Sequence, residues 1–512
     1  MRCAVLDLGS NSFHLLVADV DGSTVAPVRR QREMLHLGRS IARHGTIPAD
    51  LTVRAVATVE RLTELARRSG AQHIVAVGTE ALRGDDRSDV VAQLSAAAGT
   101  SVEILTGIEE ARLAYLGARA SVDVEEDPTL VIDLGGGSME LAVGLRDRVL
   151  WGASLPLGAS RLTAMLDAGA EHDDEPGTVD ANALQELRRH VASALQEATQ
   201  AVRSHGPATT IAVGGVVRAL GRHLAERNGR WLPATVNQAP LRIDELTAAV
   251  EELTTIDTAT RARLPGVSSR RADHLHVGAV VLEMTLLDIA GPTARVSDWG
   301  LREGVLLHRF GQVRVPSGSD LRSSQVALLQ ASFSKDDPHP QHVARTAMRL
   351  FDATAKLHGH DAKARELLGH AAHLHGIGNA LALRRQQQHG AYLLEHAELR
   401  GFDPDELALI VTLVRFHPSR GVSRRYAPFA ALPQETRDRA TDLLALLQVA
   451  DALDTSHDQH LELVTARRSG GAIELQLSAV PGELTERAVA ERSQLFVDRF
   501  GMPVTLATRV AA

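Results

Sequence analysis

Val5-Leu6-Asp7-Leu8-Gly9-Ser10-Asn11-Ser12-Phe13-His14-Leu15-Leu16-Val17 is answered, far along the chain, by Val131-Ile132-Asp133-Leu134-Gly135-Gly136-Gly137-Ser138-Met139-Glu140-Leu141-Ala142-Val143. Each stretch reads as an apolar strand ending in Asp, a tight turn of small residues, and a second apolar strand. Either stretch alone fits an ordinary hairpin. The matched Asp, Gly and Ser in both copies instead predict two similar half-domains whose turns face each other across a cleft.

Turns of this composition suit phosphate. Glycine reaches positive φ without steric penalty, and successive backbone N–H groups in such a turn form an anion-binding concavity. Gly9, Ser10, Asn11 and Ser12 make up the first turn, and Gly135, Gly136, Gly137 and Ser138 the second. Their hydroxyl and amide groups add donors. Asp7 and Asp133 cannot hold phosphate directly, but each can hold a divalent cation that does. Mg²⁺ commonly bridges one or two carboxylates to phosphate while keeping several waters.

Composition narrows the classes. The chain has 512 residues, enough for three or four domains, and 44% hydrophobic with 23% charged residues fits a soluble globular protein. Aromatic residues are only 3%, which argues against stacking platforms for single-stranded nucleic acid. A net charge of −8 argues against binding a polyanion over the whole surface, so a polyphosphate substrate needs a local basic lining or metal ions. The single cysteine, Cys3, forms no intramolecular disulfide, as expected of a cytoplasmic, reducing location. No secretory signal or apolar run of membrane-spanning length is read.

Periodicity predicts strands over 2–7, 13–20, 73–77 and 102–105 and helices over 49–68, 89–98 and 107–120, giving a first half over 1–125. A second half over 126–313 repeats the scheme, with strands over 129–133, 139–144, 211–213 and 295–298 and helices over 183–204, 243–253 and 272–289. Gly214-Gly215 ends a strand and opens a helix, a third candidate phosphate or ribose turn. A helical domain over 314–457 follows, then a small α/β domain over 458–512 with a helix over 483–499.

Thr106-Gly107-Ile108-Glu109 has capping-box spacing, which assigns Glu109 to the helix start. Glu110 projects about a hundred degrees further round the helix. It is either a solvated surface acid or, beside two phosphate turns, a carboxylate able to orient and deprotonate water.

These residues together resemble the exopolyphosphatase/guanosine pentaphosphate phosphohydrolase (Ppx/GppA) family. The resemblance rests on Asp7 to His14, Gly107-Ile108-Glu109-Glu110-Ala111-Arg112, Asp133 to Glu140, and Ser297-Asp298-Trp299-Gly300-Leu301-Arg302-Glu303-Gly304. It implies an α/β, actin-like and Hsp70-like ATPase core of two RNase H-type halves. It also implies Mg²⁺-dependent removal of a terminal phosphate by water, and a homodimer. On that resemblance Glu110 is the general base, Asp133 and Glu140 organise metal and water with Asp7 nearby, and Arg83 meets phosphate. Glu80 is expected to hold Arg83 in part. Val213-Gly214-Gly215-Val216-Val217 lacks the hydroxyl usual in the family's third turn, which favours a substrate made only of phosphate.

The helical region resembles a degenerate HD metal-phosphohydrolase domain. His342, His373, His375, His389, His417 and Asp451 are its candidate polar residues, but His375 is followed by Gly376 rather than Asp. Loss of that carboxylate leads us to expect a structural role, with Arg384, Arg385, Arg415, Arg420, Arg424 and Arg425 as candidate contacts for a long substrate. The expected activity is hydrolytic release of orthophosphate from inorganic polyphosphate. The alternatives are 5′-dephosphorylation of pppGpp and a non-catalytic polyphosphate or nucleotide sensor.

Overall fold

The computed structural model describes residues 1–124, 128–169, 178–312, 318–333 and 337–508. The expected half-domain and linker boundaries at 125/126 and 313/314 lie outside the described residues. The first sheet contains β1 (Arg2–Leu8), β2 (Ser12–Asp21), β3 (Thr24–Met34), β4 (His73–Gly78) and β5 (Val102–Ile104), in the order β3-β2-β1-β4-β5. The second contains β6 (Thr129–Leu134), β7 (Met139–Leu145), β8 (Arg148–Leu155), β9 (Thr209–Val213), β10 (Pro240–Arg242) and β11 (Thr293–Val296), in the order β10-β11-β9-β6-β7-β8.

Both sheets repeat one plan. β1 pairs antiparallel with β2 and parallel with β4, while β6 pairs antiparallel with β7 and parallel with β9. β1 and β6 are buried runs of Val, Leu, Ile and Ala, the pattern of a strand covered on both faces. This is the actin-like core of two RNase H-type halves. β3 and β8 were not read from periodicity because both are edge strands without an apolar alternation. Arg29, Arg30 and Gln31 of β3 are exposed, and no residue of β8 is buried.

The helix Gly107–Arg119 lies against the helix Leu301–Phe310, and glycines make that approach possible. A Cβ on Gly304 would strike the Leu113 carbonyl, and one on Gly117 would strike the Gly300 carbonyl. Because backbone cannot swing aside as a side chain can, Gly304→Ala is expected to destabilise the fold by ~1–3 kcal/mol. A lower urea midpoint with an unchanged m-value is the readout; an unchanged midpoint contradicts the packing.

The chain forms two compact units, Met1–Asn228 with Val236–Ser319, and Gly229–Thr235 with Asp320–Ala512. In the second, β12 (Leu463–Ser469), β13 (Ala472–Leu477) and β14 (Val504–Thr508) form a sheet. Leu463, Leu475, Leu477 and Phe496 share one hydrophobic core with helical residues such as Leu368, Leu409 and Leu444. The helix expected over 483–499 divides at Ser493 into Glu483–Arg492 and Gln494–Phe500. No helix among the described residues is long and apolar enough to cross a membrane.

Candidate active site

The two duplicated turns meet. A Cβ on Gly136 would lie 3.3 Å from Asn11 Cβ, and one on Gly137 would lie 2.8 Å from Ser10 Oγ. Gly9, Ser10, Asn11 and Ser12 line one side of a cleft of about 180 Å³, and Gly135, Gly136, Gly137 and Ser138 the other. The Gly135 N–H donates to the Ser138 carbonyl at 3.0 Å, closing the second turn.

Six carboxylates line this cleft: Asp7, Glu110, Asp133 and Glu140 beside the turns, and Asp298 and Glu303 further along. Strand register explains two of the neighbours, since Asp133 on β6 sits opposite Glu140 on β7. The corresponding pair in the first half is Asp7 opposite His14, so the duplication is asymmetric. The second half offers two acids where the first offers an acid and an imidazole. His14 contacts Ser12 Oγ at 2.7 Å through Nε2 and the Arg302 guanidinium at 3.4 Å through Nδ1. Burial, with Arg302, Arg32, Arg218 and Arg271 nearby, holds His14 well below the usual imidazole range, hence neutral.

Glu109 and Glu110 separate as their positions predict. Glu109 accepts from the Thr106 N–H at 2.8 Å, and the Glu109 N–H donates to Thr106 Oγ1 at 3.2 Å. Glu110 turns inward, is only 8% exposed, and pairs with Arg83. Arg83 Nε also donates to the Leu105 carbonyl at 2.8 Å. Arg83 therefore stands behind Glu110 and is not among the cleft-lining residues. The expectation that Glu80 holds Arg83 is corrected: Glu80 pairs with Arg161 and accepts from Ser10 Oγ at 2.9 Å. Glu80 thereby joins the two turns' surroundings across the cleft.

Burial raises the four acids beside the turns. Asp7 and Asp133 keep a little solvent contact at the cleft floor, yet loss of water pushes each up to about 6. Arg302 opposes the rise at Asp7, and Arg218 and Arg302 oppose it at Asp133. Glu110 and Glu140 are both raised, first of all by burial. The charges of Glu140, Asp133 and Asp7 add to the rise at Glu110 and that of Asp133 to the rise at Glu140, while Arg83 opposes both; Ser138 and Ser154 also oppose it at Glu140. Ser154 Oγ donates to Glu140 at 2.7 Å.

A divalent ion fits this donor set. Asp7, Asp133 and Glu140 offer only oxygen donors, and their crowded charge would suit a hard cation such as Mg²⁺. Their oxygens do not all lie within 4.8 Å of one another; among the described residues that proximity is met only by His339, His375 and Asp451. The wider spacing suits an ion that keeps its waters.

The other end of the cleft is basic, and the sequence reading missed it. Arg218, Arg271 and Arg302 line it, with His274 beside them. Burial and the neighbouring Arg218 and Arg32 push Arg271 down to about 10, the mark of cations crowded together. The third turn contributes by what it lacks: a Cβ on Gly215 would collide with the Arg271 guanidinium. Arg302 lies in a motif already singled out. Arg218 and Arg271 sit on separate helices, Gly215–Arg227 and Ser269–Thr285, and converge only in the fold.

In the second unit, His375, His417 and Asp451 come together, joined by His339, which was not singled out. His342 is buried beside Arg345, 3.5 Å away, and His389 is half-buried. Arg384, Arg385, Arg420, Arg424 and Arg425 are exposed and Arg415 half-buried.

The Ppx/GppA phosphatase family model matches residues 16–312, and the model for Ppx/GppA phosphatase domain III matches residues 321–495. The chain belongs to the Ppx/GppA phosphatase family. Exopolyphosphatase 1 of Mycobacterium leprae is 29% identical over 350 residues, covering 68% of this chain and 97% of that protein. Exopolyphosphatase 1 of Mycobacterium tuberculosis is 30% identical over 338 residues, 65% of this chain and 92% of that protein. The solved Aquifex aeolicus Ppx/GppA enzyme superposes with a TM-score of 0.51 at 25% identity, over 60% of this chain and 99% of that one. An exopolyphosphatase from Cytophaga hutchinsonii has the same fold, with a TM-score of 0.55 at 23% identity over 62% of this chain and 100% of that one. As a Ppx/GppA phosphatase, the chain is a phosphoanhydride hydrolase, and its helical second unit carries domain III.

Proposed function

We propose that this Ppx/GppA phosphatase releases terminal orthophosphate from inorganic polyphosphate. The observation that carries the reading is the basic end of the cleft, where Arg218, Arg271 and Arg302 continue from the two phosphate turns. A nucleoside there would meet guanidinium groups and the apolar Val213–Val216 stretch, with no aromatic face and no hydroxyl in that turn. A run of further phosphates would meet three guanidinium groups, with Asp298 and Glu303 the acids among them. The mycobacterial relatives named exopolyphosphatase 1 support the same class.

In this reading the terminal phosphate lies between the Gly9–Ser12 and Gly135–Ser138 turns, whose N–H and hydroxyl groups bind its oxygens. Glu110 accepts a proton from the attacking water as the water oxygen bonds to phosphorus. The bridging P–O bond breaks, and the shortened chain leaves as the anion. Arg83 keeps Glu110 oriented and favours its ionised form. Asp7, Asp133 and Glu140 would hold Mg²⁺, which when bound would neutralise phosphate charge. Catalysis of this kind is positioning plus electrostatics.

Parallel kcat/KM values for long polyphosphate and pppGpp test the substrate: polyphosphate is expected to be preferred, and an equal or better value for pppGpp overturns the reading. Absence of Mg²⁺-dependent phosphate release from either would overturn the enzyme assignment of these residues. Arg271→Ala is expected to raise KM for long polyphosphate about 10–100-fold, the worth of one charged hydrogen bond, with a smaller change in kcat. An unchanged KM removes Arg271 from the substrate path.

A further inference from the structure

Three elements of the second unit bring two ring nitrogens and a carboxylate to one buried point. His339 opens the helix His339–Ala353, His375 follows the helix Ala362–Leu374, and Asp451 lies in the last turn of the helix Gln434–Ala452. His339 Nε2 stands 3.2 Å from His375 Nε2 and 3.3 Å from Asp451 Oδ1. His375 Nε2 stands 3.6 Å from the same oxygen. All three residues are buried.

The far nitrogen of each ring is already committed. His375 Nδ1 lies 2.6 Å from the Ala372 carbonyl, which only accepts, so Nδ1 carries the proton. His339 Nδ1 lies 2.7 Å from Asp454 Oδ2. Asp454 is itself held by the Gln459 N–H at 2.8 Å and the Gln459 side-chain amide at 3.2 Å. With its proton on Nδ1, toward Asp454, His339 like His375 turns an Nε2 lone pair to the centre, where Asp451 Oδ1 also faces. Three acceptors so placed repel unless a cation lies among them. Nδ1–H bonds to carboxylate or carbonyl are what orient metal-ligating histidines. Ligands around a tetrahedral zinc-class ion stand about 3.3 Å apart, and the three separations here bracket that value. Arg492 pairs with Asp451 Oδ2, leaving Oδ1 for the centre.

We propose that His339, His375 and Asp451 form a binding site for one divalent transition-metal ion of the zinc class. Two imidazoles and one carboxylate suit Zn²⁺ or Co²⁺, whereas Mg²⁺ takes oxygen ligands and belongs with the cleft carboxylates. Three protein ligands leave a position for water; His457 stacks on His339 with ring centroids 3.6 Å apart, and the His417 ring lies 5.1 Å from that of His375. The rival occupant is a proton, which would make His339 an imidazolium between Asp451 and Asp454.

The test uses the full chain, stripped with chelator and titrated with Co²⁺, then Zn²⁺. Expected are the visible absorption bands of a low-symmetry, nitrogen-ligated Co²⁺ ion at one equivalent, displaced by Zn²⁺. His375→Gln and Asp451→Asn abolish the bands. Asp454→Asn, acting through His339, weakens Co²⁺ binding ~10–100-fold. Asp133→Asn in the cleft leaves the bands in place, and circular dichroism checks that each variant is folded. Absent bands, or bands that survive His375→Gln and Asp454→Asn, overturn the proposal. So does nitrogen NMR that finds His339 Nε2 protonated with Zn²⁺ in excess.

Discussion

Glu110→Gln is expected to lower kcat by ~10²–10⁴ while leaving KM near the wild-type value. The substitution keeps size and hydrogen-bonding reach but removes the group that takes the proton from water. The turns that bind phosphate are untouched, so binding in the ground state is preserved. Arg83 supplies an internal control. It pairs with Glu110 and lies outside the cleft lining. Arg83→Lys is therefore expected to lower kcat less than Glu110→Gln, because a cation remains but the fixed fork of the guanidinium is lost. Burial and Glu140 raise Glu110, while Arg83 opposes them. Weakening that opposition raises the carboxyl further and moves the acid limb of the pH–rate profile upward. Steady-state kinetics across pH measures both effects; near-normal turnover in Glu110→Gln removes Glu110 from the role of base.

The core of this arrangement was legible in the chain because it is written locally. The duplicated Asp–turn–strand units fix strand ends, turns and carboxylates within short stretches, and the capping box separates Glu109 from Glu110 by spacing alone. Edge strands β3 and β8 escaped because one face of each meets solvent and carries no apolar period. Arg218, Arg271 and His339 escaped for a different reason. Each is an ordinary residue on its own helix, and its meaning arises only where helices distant in sequence converge. The Glu80 misreading has the same origin. Glu80 precedes Arg83 by three residues, but the short 3₁₀ turn Glu80–Leu82 turns it toward Ser10 and Arg161 instead.

Asp133→Asn is expected to reduce phosphate release ~10²–10³-fold at limiting Mg²⁺, equivalent to losing several kcal/mol of charge stabilisation. Asp133 differs from its duplicate Asp7 in its neighbours. It lies opposite Glu140 and adds to that residue's charge, whereas Asp7 lies opposite the neutral His14. Half II therefore carries the denser negative charge, and Asp7→Asn is expected to be the milder change. Metal-free stability gives an independent readout. Asp133 is raised by burial from 3.8 to about 6, so between those values the folded chain binds more protons than the unfolded one. Stability therefore falls as pH rises through that window. A bound cation offsets the loss, so the rise in Tm on adding Mg²⁺ is expected to be larger at pH 8 than at pH 5. Asp133→Asn removes the titrating charge and one ligand together. Its metal-free Tm should fall less between pH 5 and pH 8, and Mg²⁺ should raise it less. Thermal denaturation with Mg²⁺ or EDTA at the two pH values measures this. A variant that keeps the full Mg²⁺-dependent rise places the ion away from Asp133.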